Sequence, residues 1–254
     1  MQYKKNLGQH FLKDQNIVDK LVRYINPSKY DEVIEIGPGD GVMTKSIISK
    51  VKKMILIEKD CDLIHNLKSS FREYENSLIL NIDILKYNLD NLDHSVRVVG
   101  NLPYNISTEI IFKMCNCNKI IDMHFMLQKE VVDRIVAKSN SKIYGRLSIM
   151  AQAYFNVKKL FDISENVFSP KPKVKSSFIR LSAKKYPFYN KSQENIFYNI
   201  VKSAFEGRRK MIKSSLKSYL NASDFNNINL KPDLRAENLT VNDYILISDY
   251  VQKI

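Results

Sequence analysis

The sequence predicts an α/β protein with a doubly wound, mostly parallel sheet and a small C-terminal helical domain. Short apolar runs alternate with segments of helical spacing up to Ala137, which is the pattern of a parallel sheet covered by helices. A glycine-rich turn follows the first of these runs. Beyond Tyr186-Pro187 the spacing is helical only. We therefore expect two domains, residues 1–184 and residues 185–254.

The alternation starts at Val33–Ile36, an apolar strand closed by the glycine turn Gly37–Gly41. Later apolar runs predict the strands Met54–Glu58, Leu78–Leu80, Val96–Val99, Met123–Leu127 and Ser176–Leu181. Helical spacing predicts the helices Val42–Lys50, Cys61–Ser70, Ser107–Met114, Lys129–Ala137, Asn195–Phe205, Arg209–Tyr219 and Val241–Val251. Ligands of such sheets bind at the carboxyl ends of the strands. The residues that follow these strands are therefore candidate site residues.

The positive charge of the chain is unevenly distributed. The formal net charge is +13, and the stretch from Lys171 to Lys217 holds thirteen Lys or Arg residues against two acidic ones, Glu194 and Glu206, a local balance of +11. Such a stretch favours a polyanion, because cations that neutralise a phosphate backbone release its counterions. A merely solvated basic face remains the alternative.

The cysteines indicate a reducing compartment. Cys61, Cys115 and Cys117 are odd in number, and no Cys or His pair has the spacing of a zinc site. The first twelve residues hold no apolar run typical of a signal peptide, and no stretch approaches the roughly 18 apolar residues of a membrane span. We expect a cytosolic protein with free thiols, without a structural metal and without a membrane anchor.

The glycine turn and a carboxylate 21 residues further on predict a cofactor that contains an adenosine. Glycines let the backbone approach a ligand closely. Glu58 ends the second predicted strand, where a carboxylate can bind both ribose hydroxyls, although a surface glutamate is the alternative reading. The dinucleotide fingerprint requires Gly or Ala where Val42 stands. This weakens the nicotinamide interpretation, while S-adenosylmethionine stays compatible.

Two further features favour S-adenosylmethionine. Asp83 ends the third predicted strand, and Asn101-Leu102-Pro103-Tyr104 follows the fourth. Motifs, one of which includes Asn101–Tyr104, are spread over nearly the whole chain, at Asn6–Leu12, Glu35–Gly39, Asn101–Ser107, Met126–Glu130, Tyr144–Ser148, Phe168–Val174, Arg208–Lys210 and Arg235–Asn238. By these motifs the chain resembles the ribosomal RNA adenine dimethyltransferases, whose sheet is the Rossmann-like sheet of class I methyltransferases.

The resemblance implies the cofactor contacts residue by residue. They are His10, Leu12, Gly37, Glu58, Asp83 and Asn101. Glu58 is implied to bind the ribose, Asp83 the amine of the cofactor's adenine, and Asn101 the methyl end. Some family members carry Asn where His10 stands, and Asp40-Gly41 departs from the apolar residues that often follow Gly-Pro-Gly.

The same resemblance implies a substrate and a mechanism. The most similar members dimethylate N6 of two adjacent adenosines near the 3′ end of small-subunit (16S) ribosomal RNA during ribosome biogenesis. The Asn101 oxygen and the carbonyl of Leu102 or Pro103 would accept the N6 hydrogens, with no metal and no strong general base. Tyr104 and Phe168 would stack on the two faces of the flipped adenine. The alternative for Phe168 is an ordinary aromatic residue of the core.

Several alternatives stay open. One is an enzyme of the macrolide-resistance type, which methylates large-subunit rRNA; another is a ribosome-assembly factor that keeps the fold without catalysis; a nicotinamide oxidoreductase is the most distant. We expect a monomer that acts on the rRNA of a pre-assembled small subunit, with the basic stretch Lys171–Lys217 on the rRNA backbone.

Overall fold

The alternation of strands and helices is present in the computed structural model, which describes residues 9–207 and 209–254. The strands are β1 Phe11–Leu12, β2 Glu32–Ile36, β3 Lys53–Glu58, β4 Ser77–Asn81, β5 Val96–Asn101, β6 Ile120–Gln128, β7 Phe155–Ile163, β8 Phe168–Ser169 and β9 Ser176–Ala183. The helices are α1 Gln15–Ile25, α2 Val42–Ile47, α3 Cys61–Ser70, α4 Ser107–Cys115, α5 Lys129–Ile135, α6 Arg146–Tyr154, α7 Lys191–Glu206, α8 Ile212–Ser215, α9 Ala222–Asn227 and α10 Val241–Lys253.

The main sheet has seven strands in the order β4-β3-β2-β5-β6-β9-β7. Strand β2 pairs parallel with β3 and β5, the pairs β3–β4 and β5–β6 are also parallel, and β9 runs antiparallel to β6. All five residues of β2 are buried, as expected for a parallel strand with both faces covered. The prediction of a mostly parallel sheet is confirmed.

Some elements differ from the prediction. Helices α1, α6 and α9 and strands β1, β7 and β8 were not predicted. The helix predicted over Arg209–Tyr219 is limited to α8, because Met211 forms an antiparallel bridge with Arg235 and the Ile212 N–H donates to the Leu234 carbonyl. These pairings occupy the backbone groups that a longer helix would need.

The described chain divides into two compact units. One holds residues 9–132 and 158–183, and the other holds residues 133–157 and 184–254. The later division falls between Ala183 and Lys184, and the predicted domain boundary stays a prediction. Residues 133–157, however, which the sequence analysis assigned to the N-terminal domain, group with the C-terminal helices. The functional roles of the two domains stay predictions.

The first unit has an apolar core between its sheet and the helices α1 and α2. Val18, Leu21, Val22 and Ile25 form the buried face of α1 and pack into this core. Each fully buried aliphatic side chain contributes about 1.5 to 3 kcal/mol through the hydrophobic effect. The Asp14 carboxylate accepts the Asn16 and Ile17 N–H groups and caps this helix.

An ionic network holds the amino end of β5. Arg97 donates to Asp31 at 2.8 Å and to Asp122 at 2.9 Å, and it also donates to the Ile25 carbonyl. Because a buried guanidinium needs partners for its donors, these bonds fix the start of β5.

In the second unit, α7 and α10 pack together around buried apolar side chains. Phe197, Ile200 and Val201 of α7 are fully buried, as is Ile247 of α10. Tyr244 is also fully buried, and its hydroxyl donates to the Ala236 carbonyl at 2.8 Å. Burial of a hydroxyl is tolerated because this bond satisfies it.

Candidate active site

A cavity opens at the carboxyl ends of β2, β3 and β5, the edge at which ligands bind to sheets of this topology. Every predicted site residue except one lines it. The residues that do are His10, Leu12, Gly37, Glu58, Asp83, Asn101, Pro103 and Tyr104. Phe168 does not occur among the described residues that line the cavity. The individual roles of these residues stay predictions.

The turn after β2 requires glycine for two reasons: its backbone conformation and the close approach of neighbouring side chains. Gly37, Gly39 and Gly41 have φ angles of +64°, +61° and +79°, in the left-handed region that L-residues rarely adopt. A Cβ at Gly39 would lie 2.9 Å from the Phe11 ring, and one at Gly41 would lie 2.7 Å from the Phe71 ring. A Cβ at Gly37 would meet nothing within 4 Å. This side of the turn is therefore open to a ligand.

Glu58 ends β3 with its carboxylate buried and oriented. Only 7% of the residue is exposed, so it is not a surface glutamate. One carboxylate oxygen accepts the Asp60 N–H at 2.8 Å and the other accepts the Gly39 N–H at 3.2 Å. Burial raises the pKa of Glu58. Each oxygen keeps acceptor capacity for a ligand, which suits a pair of hydroxyl groups.

Asp83 lies two residues beyond the end of β4 rather than within it. Its carboxylate pairs with the Lys59 ammonium at 2.9 Å and accepts the Leu85 N–H at 2.9 Å. Burial alone would raise the pKa of Asp83, but the Lys59 bond and charge outweigh it and lower the pKa. The group is thus an ionised acceptor at neutral pH.

Asn101 is the last residue of β5, and its side chain is oriented by the segment before β1. The side-chain NH₂ donates to the His10 carbonyl at 2.7 Å. The side-chain oxygen has no hydrogen-bond partner within the described residues. The amide therefore presents an acceptor that is free to bind a donor from a ligand.

The loop after Asn101 presents backbone acceptors of unequal availability. The Leu102 N–H donates to the Met126 carbonyl at 3.1 Å and anchors the loop to β6. The Pro103 carbonyl accepts the Ile106 N–H at 3.3 Å. The Leu102 carbonyl has no partner in the described part of the chain. Of the two predicted carbonyl acceptors, the geometry favours that of Leu102.

Tyr104 stacks on His10, and Phe168 lies elsewhere. The ring centroids of His10 and Tyr104 are 5.4 Å apart with an interplanar angle of 29°, and the Tyr104 hydroxyl bonds to Ser176 Oγ at 2.7 Å. Phe168 is 4% exposed, pairs with Leu12 across β8 and β1, and belongs to the apolar core. The predicted clamp of Tyr104 and Phe168 is therefore not assembled in this structure. The physical reason is that the Phe168 side chain packs into the apolar core and not into the cavity.

Glu35 is a cavity residue whose side chain the sequence analysis did not assign to the site. It is 1% exposed and accepts the Thr44 hydroxyl at 2.6 Å. Burial, together with the nearby charges of Glu58 and Asp40, raises the pKa of Glu35 to about 8. The signal in the sequence was a carboxyl group inside an otherwise apolar strand. Burying its charged form costs free energy unless the group is neutralised or paired.

The basic stretch Lys171–Lys217 is partly ion-paired. Among its described residues the pairs are Lys171–Glu165, Lys191–Glu194, Lys202–Glu206 and Lys213–Asp233. Two motif segments, Asn6–Gly8 and Arg208, lie outside the described residues. Within the described chain no helix has the length and apolar character required to cross a membrane.

Comparisons with known proteins match this chain to rRNA methyltransferases over nearly its whole length. The family model for ribosomal RNA adenine dimethylase matches residues 1–253. The ribosomal RNA small subunit methyltransferase A of Wigglesworthia glossinidia brevipalpis is 45% identical over 253 residues, covering 96% of both chains. The protein of the same name from Francisella tularensis subsp. novicida is 42% identical over 262 residues, covering 99% of this chain and 100% of the relative.

Two solved structures share the fold. A dimethyladenosine transferase from Plasmodium falciparum matches with a TM-score of 0.82 and 24% identity over 93% of this chain and 95% of that one. The 23S rRNA methyltransferase ErmE matches with a TM-score of 0.74 and 19% identity over 95% and 99%. At these identities the likeness shows the fold, which is the predicted Rossmann-like methyltransferase sheet.

Proposed function

The chain belongs to the ribosomal RNA adenine dimethylase family, and on that premise we propose that it dimethylates N6 of two adjacent adenosines in the 3′-terminal hairpin loop of small-subunit (16S) rRNA, with S-adenosylmethionine as the methyl donor. The relatives at 45% and 42% identity are named as small-subunit methyltransferases. The observation that carries the mechanism is the unpartnered oxygen of Asn101 in a cavity at the carboxyl edge of the sheet.

The residues around the cavity fit S-adenosylmethionine. The open side of Gly37 leaves room for close approach, Glu58 has acceptor capacity for two ribose hydroxyls, and Asp83 is an ionised acceptor for the adenine amine. His10 and Leu12 complete the predicted binding set at the start of the described chain. When bound, the cofactor supplies an electrophilic methyl group on a sulfonium sulfur.

The chain's contribution to transfer is to make N6 of adenine a better nucleophile. The N6 lone pair is delocalised into the ring, so acceptors for the two N6 hydrogens favour a more tetrahedral nitrogen. Asn101 Oδ1 and the Leu102 carbonyl are the acceptors that the geometry favours. Pro103 stiffens the loop that holds them. N6 becomes acidic only after it has been methylated, so its proton can leave late without a strong base.

Adenine must leave its stack to reach this cavity. We assign one face of the base to the Tyr104 ring, which the Ser176 hydroxyl holds in place. The assignment of the other face to Phe168 requires β8 to rearrange, since that ring is now in the core. His10 covers one side of Tyr104, so the base either uses the opposite face or displaces the imidazole.

The polyanion partner in this proposal is rRNA. The cations of Lys171–Lys217 that lack acidic partners supply affinity for its backbone without reading base sequence. In finer detail, we propose that the protein acts as a monomer, in the cytoplasm, on the rRNA of a pre-assembled small subunit.

The experiment that tests the mechanism is Asn101→Ala. We expect this variant to lose methyl transfer to small subunits, because one acceptor for the N6 hydrogens is gone, while calorimetry still detects S-adenosylmethionine binding. Asn66→Ala, at an exposed position of α3, is the matched control and keeps full activity. Unchanged turnover of Asn101→Ala contradicts the assigned role.

A second experiment distinguishes the rival functions. Primer extension on rRNA treated with the pure protein locates the methylated positions. Because the fold is shared with a 23S rRNA methyltransferase, methylation of large-subunit rRNA alone contradicts the small-subunit assignment. Failure to transfer a radiolabelled methyl group to either rRNA favours a non-catalytic assembly factor instead.

A further inference from the structure

A second cavity, of about 430 Å³, lies within the C-terminal unit. Four separate segments line it: the chain from Lys138 to Tyr144, the end of α6, the chain after β9, and the start of α10. None of its residues lines the cavity at the carboxyl edge of the sheet. The second cavity therefore has no part in the site described above.

The lining of this cavity is cationic. Lys138, Lys184 and Lys185 contribute to it, and no acidic residue occurs among the described residues that line it. Lys138 and Lys185 are exposed and have no ion-pair partner in the described chain. The Lys184 ammonium donates to the Gln152 carbonyl at 2.6 Å, and burial lowers its pKa. Like charges gathered without counter-charges repel one another, and a bound anion relieves that repulsion.

One nearby carboxylate, that of Asp243, acts on Tyr144 and is already engaged. Asp243, which lies just inside α10, accepts the N–H of Thr240 at 2.7 Å and the hydroxyl of Thr240 at 2.8 Å. These bonds form a capping box together with the Asp243 N–H, which donates to the Thr240 hydroxyl. The three lysines outnumber this carboxylate, so the cavity keeps a net positive charge.

Neutral donors also line the cavity without acceptors. Tyr144 is 2% exposed, and its hydroxyl has no hydrogen-bond partner in the described part of the chain. The capping box leaves the Val241 and Asn242 N–H groups of α10, a helix of 13 residues, without acceptors among the described residues. Such groups at a helix N-terminus favour anions. A buried hydroxyl and these N–H groups together suit phosphate oxygens.

We propose that this cavity binds phosphodiester groups of the RNA backbone and anchors the substrate away from the methyl-transfer cavity. The inference rests on the proposed function, which makes RNA the substrate. Ammonium, hydroxyl and N–H donors bind phosphate oxygens and do not distinguish one base from another. Lys138 lies outside the basic stretch Lys171–Lys217, so the site combines cations from distant segments. It contributes affinity rather than catalysis.

The test removes two cations that have no structural partner. For the double variant Lys138→Ala/Lys185→Ala, binding to a small-subunit rRNA transcript is measured between 0.05 and about 0.3 M salt. Each lost contact reduces the slope of log K against log salt by about 0.7 to 0.9. We expect a shallower slope by roughly 1.4 to 1.8, and affinity about 14- to 30-fold weaker at about 0.15 M salt.

The control variant is Lys68→Ala/Lys231→Ala, which removes the same charge from exposed positions outside the cavity. A slope equal to that of the control overturns the proposal. Tyr144→Phe removes only the hydroxyl, and we expect severalfold weaker binding with an unchanged melting temperature; unchanged affinity counts against the buried donor.

Two readouts distinguish failure of this inference from failure of the proposed function. If the wild type neither binds nor methylates the transcript, the proposed function fails. If it does both and the double variant matches the control, only the anchoring site fails. Inorganic phosphate is a separate probe: binding to the wild type but not to the double variant, with equal RNA slopes, assigns the cavity to free anions and overturns the RNA assignment.

Discussion

Glu35→Gln tests whether the carboxyl group in the cavity is neutral in the folded protein. Glu35 is 1% exposed, and among the described residues its one side-chain hydrogen bond comes from Thr44 at 2.6 Å. Burial raises its pKa from 4.5 to about 8. Glutamine has the shape of the neutral carboxyl group and keeps an oxygen acceptor for the Thr44 hydroxyl. The variant therefore reproduces the protonated state at every pH.

The sign of the effect follows from linkage. The pKa of Glu35 is higher in the folded than in the unfolded protein. The contribution of the protonated Glu35 to the free energy of unfolding is therefore complete below about pH 4.5 and is lost as the pH rises through about 8. A difference of about 3.5 pKa units at about 1.36 kcal/mol per unit corresponds to about 5 kcal/mol. Between pH 5 and 9 the wild type should lose up to about this much free energy of unfolding relative to Glu35→Gln.

The assay is urea unfolding of the cofactor-free protein at several pH values. Subtracting the variant's free energy of unfolding from that of the wild type removes the contributions of other titrating groups. Glu73→Gln is the control for the loss of one surface carboxylate, because the Glu73 side chain is 83% exposed. If the Glu35→Gln difference does not change with pH, Glu35 is ionised in the folded protein and the inference from its burial is wrong.

Three further predictions concern the cofactor, the target base and the core. Glu58→Gln replaces a charged acceptor, so the Kd for S-adenosylmethionine measured by calorimetry should rise about 10- to 150-fold, from roughly 1.5 to 3 kcal/mol; an unchanged Kd contradicts ribose binding. Tyr104→Phe should keep most of the kcat/KM for rRNA and Tyr104→Ala should lose about 5- to 150-fold, from stacking of roughly 1 to 3 kcal/mol; equal losses would mean that the hydroxyl matters and not the ring. Phe168→Ala should lower the free energy of unfolding by about 3 to 5 kcal/mol, and a loss below about 1 kcal/mol would show that the ring does not pack in the core.

The parallel sheet and the strand-end residues of the cavity could be predicted from the sequence because local rules govern them. Apolar runs form strands, and the glycine turn forms where left-handed backbone is needed. The carboxyl ends of parallel neighbours meet at one edge, so Glu58 at the end of β3 and Asn101 at the end of β5 line the same cavity. For these residues, position along the chain was enough to predict position in space.

The sequence by itself thus determined the sheet, the glycine turn and, through its motifs, the family. Only the tertiary structure decided that His10 rather than Phe168 lies against Tyr104, because that depends on the β1–β8 pairing and on a bond from His10 to Pro170, 160 residues away. It also decided that Glu35 is buried deeply enough to favour the neutral form. Both outcomes depend on contacts between segments distant in sequence, and the local periodicity of the sequence does not report such contacts.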